Sequence, residues 1–372
     1  MRLFVVTLAF VVLGLAERPA RLAPIVEPDY CTYNYAPSFM LDSARRRLHV
    51  WYCAGAAPGE VRDRIVYRHA ERLGGRWRWS GETVALEVGG AGAWDSRHVC
   101  DPDVVRGRFL YRGRIYGYAM LYLGTDAEGS THNQTGLALA TAPQGPWTRY
   151  PAPIVRYTSV ASGGIIRMEG RWPVYRYWGV GQPSAVSLDR RGRLLLFVSR
   201  GEETDGVEMM TVDLSDLDRG PVVSGRRKLS TRGLRPASPG SGDVWLTNIG
   251  IAREARTGRV WMLREDIPAR DGRFPSFISA RVRVARSDWA ALQNGQTEWH
   301  ETAEIGPAET GWPRNHNASF VRDGWGDLRS GATAGVGVSL AESYEAAPSG
   351  SDWLWSYRIG LVDIPIRVSG NR

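Results

Sequence analysis

One short element recurs five times along this chain, and it restricts the fold more than any other feature. Its editions are Asn34-Tyr35-Ala36-Pro37-Ser38-Phe39, Val99-Cys100-Asp101-Pro102-Asp103-Val104, Gly181-Gln182-Pro183-Ser184-Ala185, Asn248-Ile249-Gly250-Ile251-Ala252 and Asn317-Ala318-Ser319-Phe320-Val321. Successive editions stand 65, 81, 66 and 69 residues apart. Self-similarity at a near-fixed period marks a repeat architecture, in which one supersecondary unit is copied and packed against its neighbours.

Each edition is followed by a turn, of which Arg106-Gly107 and Arg256-Thr257-Gly258 are examples, and then by an apolar run at 48–53, 115–123, 194–198, 260–263 or 335–340. A third segment alternates, as at 135–142 and 278–285, the pattern of a half-buried strand. A fourth follows a tight turn such as Pro143-Gln144-Gly145-Pro146-Trp147. Four strands per unit and almost no helical periodicity predict an all-β chain, a five-bladed β-propeller with four-stranded antiparallel blades. A β-sandwich or jelly roll is the competing architecture. The period exceeds the roughly 40–50 residues of common propeller repeats, so long loops are expected. Single helical turns are expected at 214–217 and 287–292, capped by Ser215 and Ser287.

Residues 1–16 run from Arg2 through an apolar stretch at 3–13 to Gly14-Leu15-Ala16. A charged start, a core too short to span a bilayer and a small-residue end read as a signal peptide. The mature chain, 17–372, would then be one propeller domain, secreted or periplasmic, with no membrane contact after cleavage. The rival reading is an uncleaved anchor. Three cysteines fit an oxidising compartment with one bridge and one spare thiol; Cys31 and Cys53, on neighbouring antiparallel segments, are the pair expected to come close.

The formal charge of +8 invites anionic partners. All but one of the basic residues are arginine, however, Lys228 being the exception, and no nucleic-acid module is readable. No cysteine or histidine spacing supports a metal site, and no cofactor motif is present. Fifteen Trp and fifteen Tyr suit either core filling or stacking on sugar rings.

In a propeller the first strand of each blade lines the central channel, and its start lies on the same face as the end of the antiparallel second strand. The repeat therefore gathers Ala36, Asp101, Gln182, Asn248 and Asn317 into one ring. Asp126, Glu202, Glu203, Glu265, Asp266 and Glu342, at second-strand ends, fall on the same face. Only Asp101 puts an acid in the ring itself.

Two stretches, Cys100-Asp101-Pro102-Asp103-Val104-Val105 leading to Tyr116–Tyr122, and Thr135–Trp147, resemble the five-bladed glycosidases of glycoside hydrolase family 43 and its relatives in families 32, 68, 117 and 130. The resemblance implies three channel carboxylates: a base opening blade one, an orienting acid opening blade two and a general acid opening blade three. Asp101 matches the second. Ala36 and Gln182 stand at the other two, so the missing acids must come from elsewhere on the mouth. Glu202 and Glu265 are the expected partners, with Asp29, Asp95, Asp103 and Asp266 behind them. Arg97, His98, Arg314 and His316 precede channel strands and could bond sugar hydroxyls. Trp94, Trp178 and Trp312 could stack on a sugar ring. Gln182, Asn248 and Asn317 offer amides for hydroxyl recognition.

The expected function is that of an exported, monomeric glycoside hydrolase acting on an extracellular or cell-envelope glycan by inversion. The alternative is a glycan-binding propeller that has lost part of its acid set.

Overall fold

The computed structural model describes residues 21–27, 32–44, 46–74, 76–127, 131–158, 165–169, 172–175, 177–202, 206–236, 244–267, 277–329, 331–342 and 353–366. The expected signal peptide, Asp29, Cys31 and Glu203 lie outside these.

The strands fall into the anticipated units. Blade one holds β1 (Asn34–Asp42), β2 (Arg47–Gly55), β3 (Asp63–Leu73), β4 (Arg76–Trp79) and β5 (Thr83–Leu86). Blade two holds β6 (His98–Tyr111), β7 (Arg114–Thr125), β8 (Gln134–Ala140) and β9 (Thr148–Arg149). A separate hairpin, β10 (Ile165–Glu169) and β11 (Trp172–Tyr175), accounts for the long step to blade three. That blade is β12 (Gly179–Ser187), β13 (Arg193–Gly201), β14 (Gly206–Asp213) and β15 (Val222–Lys228). Blade four is β16 (Gly250–Glu254), β17 (Arg259–Glu265), β18 (Val282–Asp288) and β19 (His300–Ile305), and blade five is β20 (Arg314–Arg322), β21 (Thr333–Ala341) and β22 (Arg358–Pro365). Within each blade the strands pair antiparallel in chain order, except that β5 of blade one pairs with β3 alongside β4. Blades five and one touch through a short parallel contact, Phe39 opposite Val321 and Met40 opposite Arg322.

The outer edge of blade five is completed from the other end of the chain. Val26 bridges Ile359 antiparallel, the N–H groups of Ile25 and Val26 donating to the Ile359 carbonyl and Ile359 N–H returning to Val26. The beginning of the described chain thus closes the ring at its last blade and covers an edge that would otherwise present unpaired backbone.

Hydrophobic packing follows the seams between blades. Val105, Leu121 and Leu139 of blade two meet Ala185, Leu196 and Met210 of blade three. Phe197 and Met209 meet Ile251 and Met262; Trp261 and Val284 meet Phe320 and Val338. Phe39, Val50 and Tyr52 meet Val26 and Ile359, and Trp51 and Ile65 meet Met120 and Tyr122. Five seams between five blades make the core a closed ring of sheet-on-sheet contacts. Because neighbours press on both faces, a second strand cannot alternate apolar and polar. Its continuous apolar run, which fixes its position in the sequence, has this cause.

Two expected helical turns resolve differently. The one near 287–292 exists as α1 (Trp289–Gln293), but its cap is the Asp288 side chain, accepting from Ala291 N–H, and not Ser287. At 214–217 no helix forms; Asp216 instead bridges Leu110 of blade two, and sheet pairing takes the backbone that a turn would have used. A second helix, α2 (Pro307–Thr310), precedes blade five. No helix among the described residues is long and apolar enough to cross a membrane.

Candidate active site

The fivefold element is a repeated β-bulge. Residues Ala36, Asp101, Gln182, Asn248 and Asn317 all adopt positive φ, at 49°, 47°, 52°, 47° and 41°. In blades one, two, three and five the pairing register slips at this point, so that two residues oppose one. A bulge leaves its extra residue out of the ladder, and Pro37, Pro102 and Pro183 can therefore follow without sacrificing a hydrogen bond. The left-handed conformation costs a non-glycine residue about 1–2 kcal/mol, so something must hold each bulge in place.

The preceding blade does so. Ala36 N–H donates to Ser339 Oγ at 2.9 Å, Asn248 N–H to Ser199 Oγ at 2.9 Å, and Asn317 N–H to Glu265 Oε1 at 2.8 Å. Asp101 N–H points at Cys53 Sγ, 3.0 Å away. Cys53, Ser199 and Ser339 occupy matching places on second strands, opposite Tyr35, Gly181 and His316, and Glu265, ending β17, fills the same structural role. One column of second-strand acceptors thus carries a single acid. The five bulges line a narrow channel of about 50 Å³, room for a few water molecules.

Asp101 and Glu265 meet at this ring. Asn317 Nδ2 donates to Asp101 Oδ1 at 3.2 Å while its own N–H serves Glu265. Asn248 Nδ2 adds a second donor to Glu265 Oε1 at 2.8 Å. Glu265 is 1% exposed, and its Oε2 has no hydrogen-bond partner among the described residues; nor do the Oδ1 atoms of Asn248 and Asn317. Burial, then the charges of Asp63 and Glu265, push the Asp101 carboxyl up to about 8. It therefore keeps its proton at neutral pH.

His316 is 3% exposed. Its ring stacks on Tyr35 and meets Tyr357 at centroid distances of 6.5 and 4.8 Å. Its Nδ1 lies 3.7 Å from Glu265 Oε1, and neither ring nitrogen has a hydrogen-bond partner among the described residues. Burial, then Asp63, raises the Tyr35 hydroxyl, and burial with Glu265 raises that of Tyr357; both remain neutral donors.

Asp63 opens β3 and was not singled out in the sequence, because it belongs to a third strand and to no repeated motif. It accepts from Tyr33 Oη at 2.7 Å, and His98 Nδ1 lies 3.1 Å from its Oδ2. Asp63 and Glu265 both lie near enough for their charges to act on Asp101, so two acids from outside the ring of bulges stand by the one within it.

Other expected site residues are committed elsewhere. Glu202 is buried, which favours its neutral form, but Thr158 donates from both Oγ1 and N at 2.7 Å and Arg200 from Nη1 at 2.6 Å. The balance lowers its proton affinity, so it is no proton donor. Asp103 accepts from Ala185 N–H at 2.6 Å and pairs with Arg322, whose Nη1 also reaches the carbonyls of Ala185 and Ile251. It is the blade-two edition of a stitch made by Ser38 to Val104 and Ser184 to Ile251, so both its oxygens are engaged. Asp95 is fully buried, held by Tyr122 Oη at 2.8 Å and Arg149 Nε at 2.7 Å. Asp266 belongs to a network with Arg283, Arg264 and Glu301.

The tryptophans expected as sugar platforms also pack inward. Trp94 stacks on Tyr122 at 5.8 Å and covers Gly124 and Gly136, where a Cβ would stand 2.6 Å from the ring. Trp178 covers Gly201 in the same way, and Trp312 donates to the Leu22 carbonyl at 3.1 Å. Trp245 differs: it is 44% exposed, three residues before Asn248. Gln182 stays in the ring, its Oε1 accepting from Thr247 at 3.1 Å. Arg97 caps the approach to β6, its N–H on the Thr125 carbonyl.

The cysteine expectation needs correction. The bridge joins Cys53 to Cys100, Cα atoms 5.1 Å apart, because the channel ring sets the end of one blade's second strand beside the start of the next blade's first strand; Cys31 lies outside the described residues. Cys53, Cys100 and Asp101 converge within metal-ligating distance, but bonded sulfurs offer no thiolate.

No protein-family model and no curated protein matches the chain. Solved structures do. A family 117 glycoside hydrolase from the marine bacterium Zobellia galactanivorans is 14% identical, over 95% of this chain and 92% of that one, with a TM-score of 0.53. The GH43_1 enzyme from Xanthomonas citri complexed with xylotriose is 13% identical over 94% and 92%, at 0.58. An alpha-L-arabinofuranosidase from Podospora anserina in complex with cellotriose is 11% identical over 92% and 96%, at 0.53. The chain has the fold of the β-propeller glycoside hydrolases over nearly its whole length.

Proposed function

We propose that this protein is an exported glycoside hydrolase in which Asp101, at the place where the family-43 likeness implies an orienting acid, is instead the general acid and Glu265 the general base. The observation that carries the reading is the Asp101–Asn317–Glu265 link: one carboxyl that holds its proton and a second, fed only by donors, across a shared asparagine. Glycoside cleavage needs such a pair. The Asp101 proton passes to the glycosidic oxygen as the bond to the anomeric carbon breaks. Glu265 takes a proton from the water whose oxygen bonds that carbon. Direct displacement gives inversion, as the family-43 likeness implies. The unpaired oxygens of Asn248, Asn317 and Glu265 are acceptors waiting for donors, which sugar hydroxyls supply. Neighbours solved with xylotriose and cellotriose support a carbohydrate partner.

Export is supported by residues 1–16 and by a disulfide, which suits a secreted or periplasmic setting. We take the working form to be a monomer. Ala36 and Gln182 in the ring favour the second reading, a propeller that binds glycan without cleaving it. Incubation of wild type and Asp101→Asn with arabinan, xylan, fructan and mannan fragments separates the two. Sugar release by wild type alone, with the product anomer followed by NMR, supports the enzyme; tight binding with no release supports the binder.

A further inference from the structure

Four bulge N–H groups around the channel are held by the preceding blade, and one of the four acceptors is sulfur. Ala36, Asn248 and Asn317 donate to oxygens of Ser339, Ser199 and Glu265. Asp101 N–H lies 3.0 Å from Cys53 Sγ. That sulfur is bonded to Cys100, the residue next to Asp101, and Cys100 Sγ stands 3.7 Å from Asp101 Oδ1. Both half-cystines are buried, at 0% and 3% exposure, so the bridge is not placed to meet a reductant. A disulfide sulfur is a weak acceptor, and blade one reinforces it with a covalent link where blades three, four and five use a hydrogen bond alone.

We infer that the Cys53–Cys100 bridge is a positioning element for Asp101, its Cys53 sulfur accepting the Asp101 N–H and so fixing the left-handed bulge that holds the carboxyl in the channel ring. Loss of the acceptor leaves a part-buried N–H unpaired beside a conformation that is already unfavourable for aspartate. The bulge then relaxes, the carboxyl gains water, and burial, the chief reason it keeps its proton, weakens. The inference deepens the glycosidase reading, since it concerns the residue assigned there as the acid, but its geometry stands without that reading.

Two variants test it, both in a Cys31→Ala background so that no other thiol can pair. Cys53→Ala with Cys100→Ala removes the acceptor; Cys53→Ser with Cys100→Ala restores it as the hydroxyl that Ser199 and Ser339 already provide. The Asp101 carboxyl is titrated by carbon-13 NMR. The parent inflection near pH 8 should fall by more than about one unit in the alanine variant and move by less than about half a unit in the serine variant. An alanine variant that titrates like the parent overturns the inference. So does an equal shift in both, which would assign the effect to the covalent link. Hydrogen exchange of the wild type gives a check that needs no variant: the Asp101 amide should be protected like those of Ala36 and Asn248, and exchange at the unprotected rate overturns the role of sulfur. A titration that behaves as expected in a protein that cleaves no glycan would sink the proposed function and leave the clamp standing.

Discussion

Asp101 and Glu265 share Asn317, whose side chain serves one carboxyl and whose backbone serves the other, and burial, then the charges of Asp63 and Glu265, keep the proton on Asp101. Like charges disfavour ionising together. Neutralising Glu265 as Gln, or Asp63 as Asn, should therefore lower the pH at which Asp101 titrates. Removing Glu265 should also abolish turnover, whereas Asp63→Asn should retain activity with its basic limb displaced to lower pH. The wild-type profile should fall as pH rises through about 8, where Asp101 loses the proton it must give. A wild-type rate that stays flat to pH 9.5 would contradict the assignment of the acid.

The same proton makes a stability prediction of definite sign. The native carboxyl titrates at about 8 against 3.8 for the ordinary group, so from about pH 4 to 8 the unfolded chain has released a proton that the native state retains. Stability attributable to Asp101 is therefore present at low pH and lost as pH rises through that window. Asp101→Asn should lower turnover by at least about a thousandfold yet raise the thermal midpoint at pH 8.5 by about 2–4 °C, with little change at pH 4. Scanning calorimetry at both values tests this. A midpoint depressed at pH 8.5 would mean that the carboxylate is not a burden to the fold.

How much of this was legible in the sequence follows from which signals repeat. The bulge recurs at every blade, so Ala36, Asp101, Gln182, Asn248 and Asn317 could be aligned by eye, and blade number followed. Glu265 was legible because it ends an apolar run. Glu202 ends one too, but only the fold shows that Thr158, distant in sequence, engages both its oxygens. Asp63 begins a third strand and carries no pattern. Its place beside the ring depends on blade closure, as does the Cys53–Cys100 bridge. The repeat aligns Asp103 with Ser38 and Ser184, but that this column bonds the next blade, and that Arg322 pairs with Asp103, appears only once the seam is closed. Trp94 and Trp178 looked like sugar platforms, since the glycines they cover are far away along the chain.

Trp245 is 44% exposed and stands three residues before Asn248 of the ring. Three residues of chain reach at most about 11 Å, which keeps its backbone within reach of a sugar chain that enters at Asn248. Stacking on a ring remote from the reacting bond adds uniform binding. Trp245→Ala should raise KM by about 5- to 30-fold with kcat within about twofold, on any oligosaccharide the wild type cleaves. A fall in kcat at unchanged KM would place Trp245 in the chemistry.

Asp103 and Arg322 carry the last prediction, because they separate a structural acid from a functional one in the same element. Arg322 spans the seams from within, bonded to Asp103 and to the carbonyls of Ala185 and Ile251, and both side chains are nearly inaccessible. Burial pushes the Asp103 carboxyl up while Arg322 pulls it down. Removing one partner leaves the other charge buried and unpaired, at a cost of about 3–5 kcal/mol. Asp103→Ala should therefore be strongly destabilising in urea. Asp103→Ser restores the acceptor that Ser38 and Ser184 provide at matching positions. Combined with Arg322→Met, which also removes the orphaned guanidinium, it should recover most of the loss. Both forms, once folded, should retain the wild-type pH profile, since Asp101 stays in place. A double variant no more stable than Asp103→Ala would show that the guanidinium bonds to the two carbonyls hold the seams, with the carboxylate secondary.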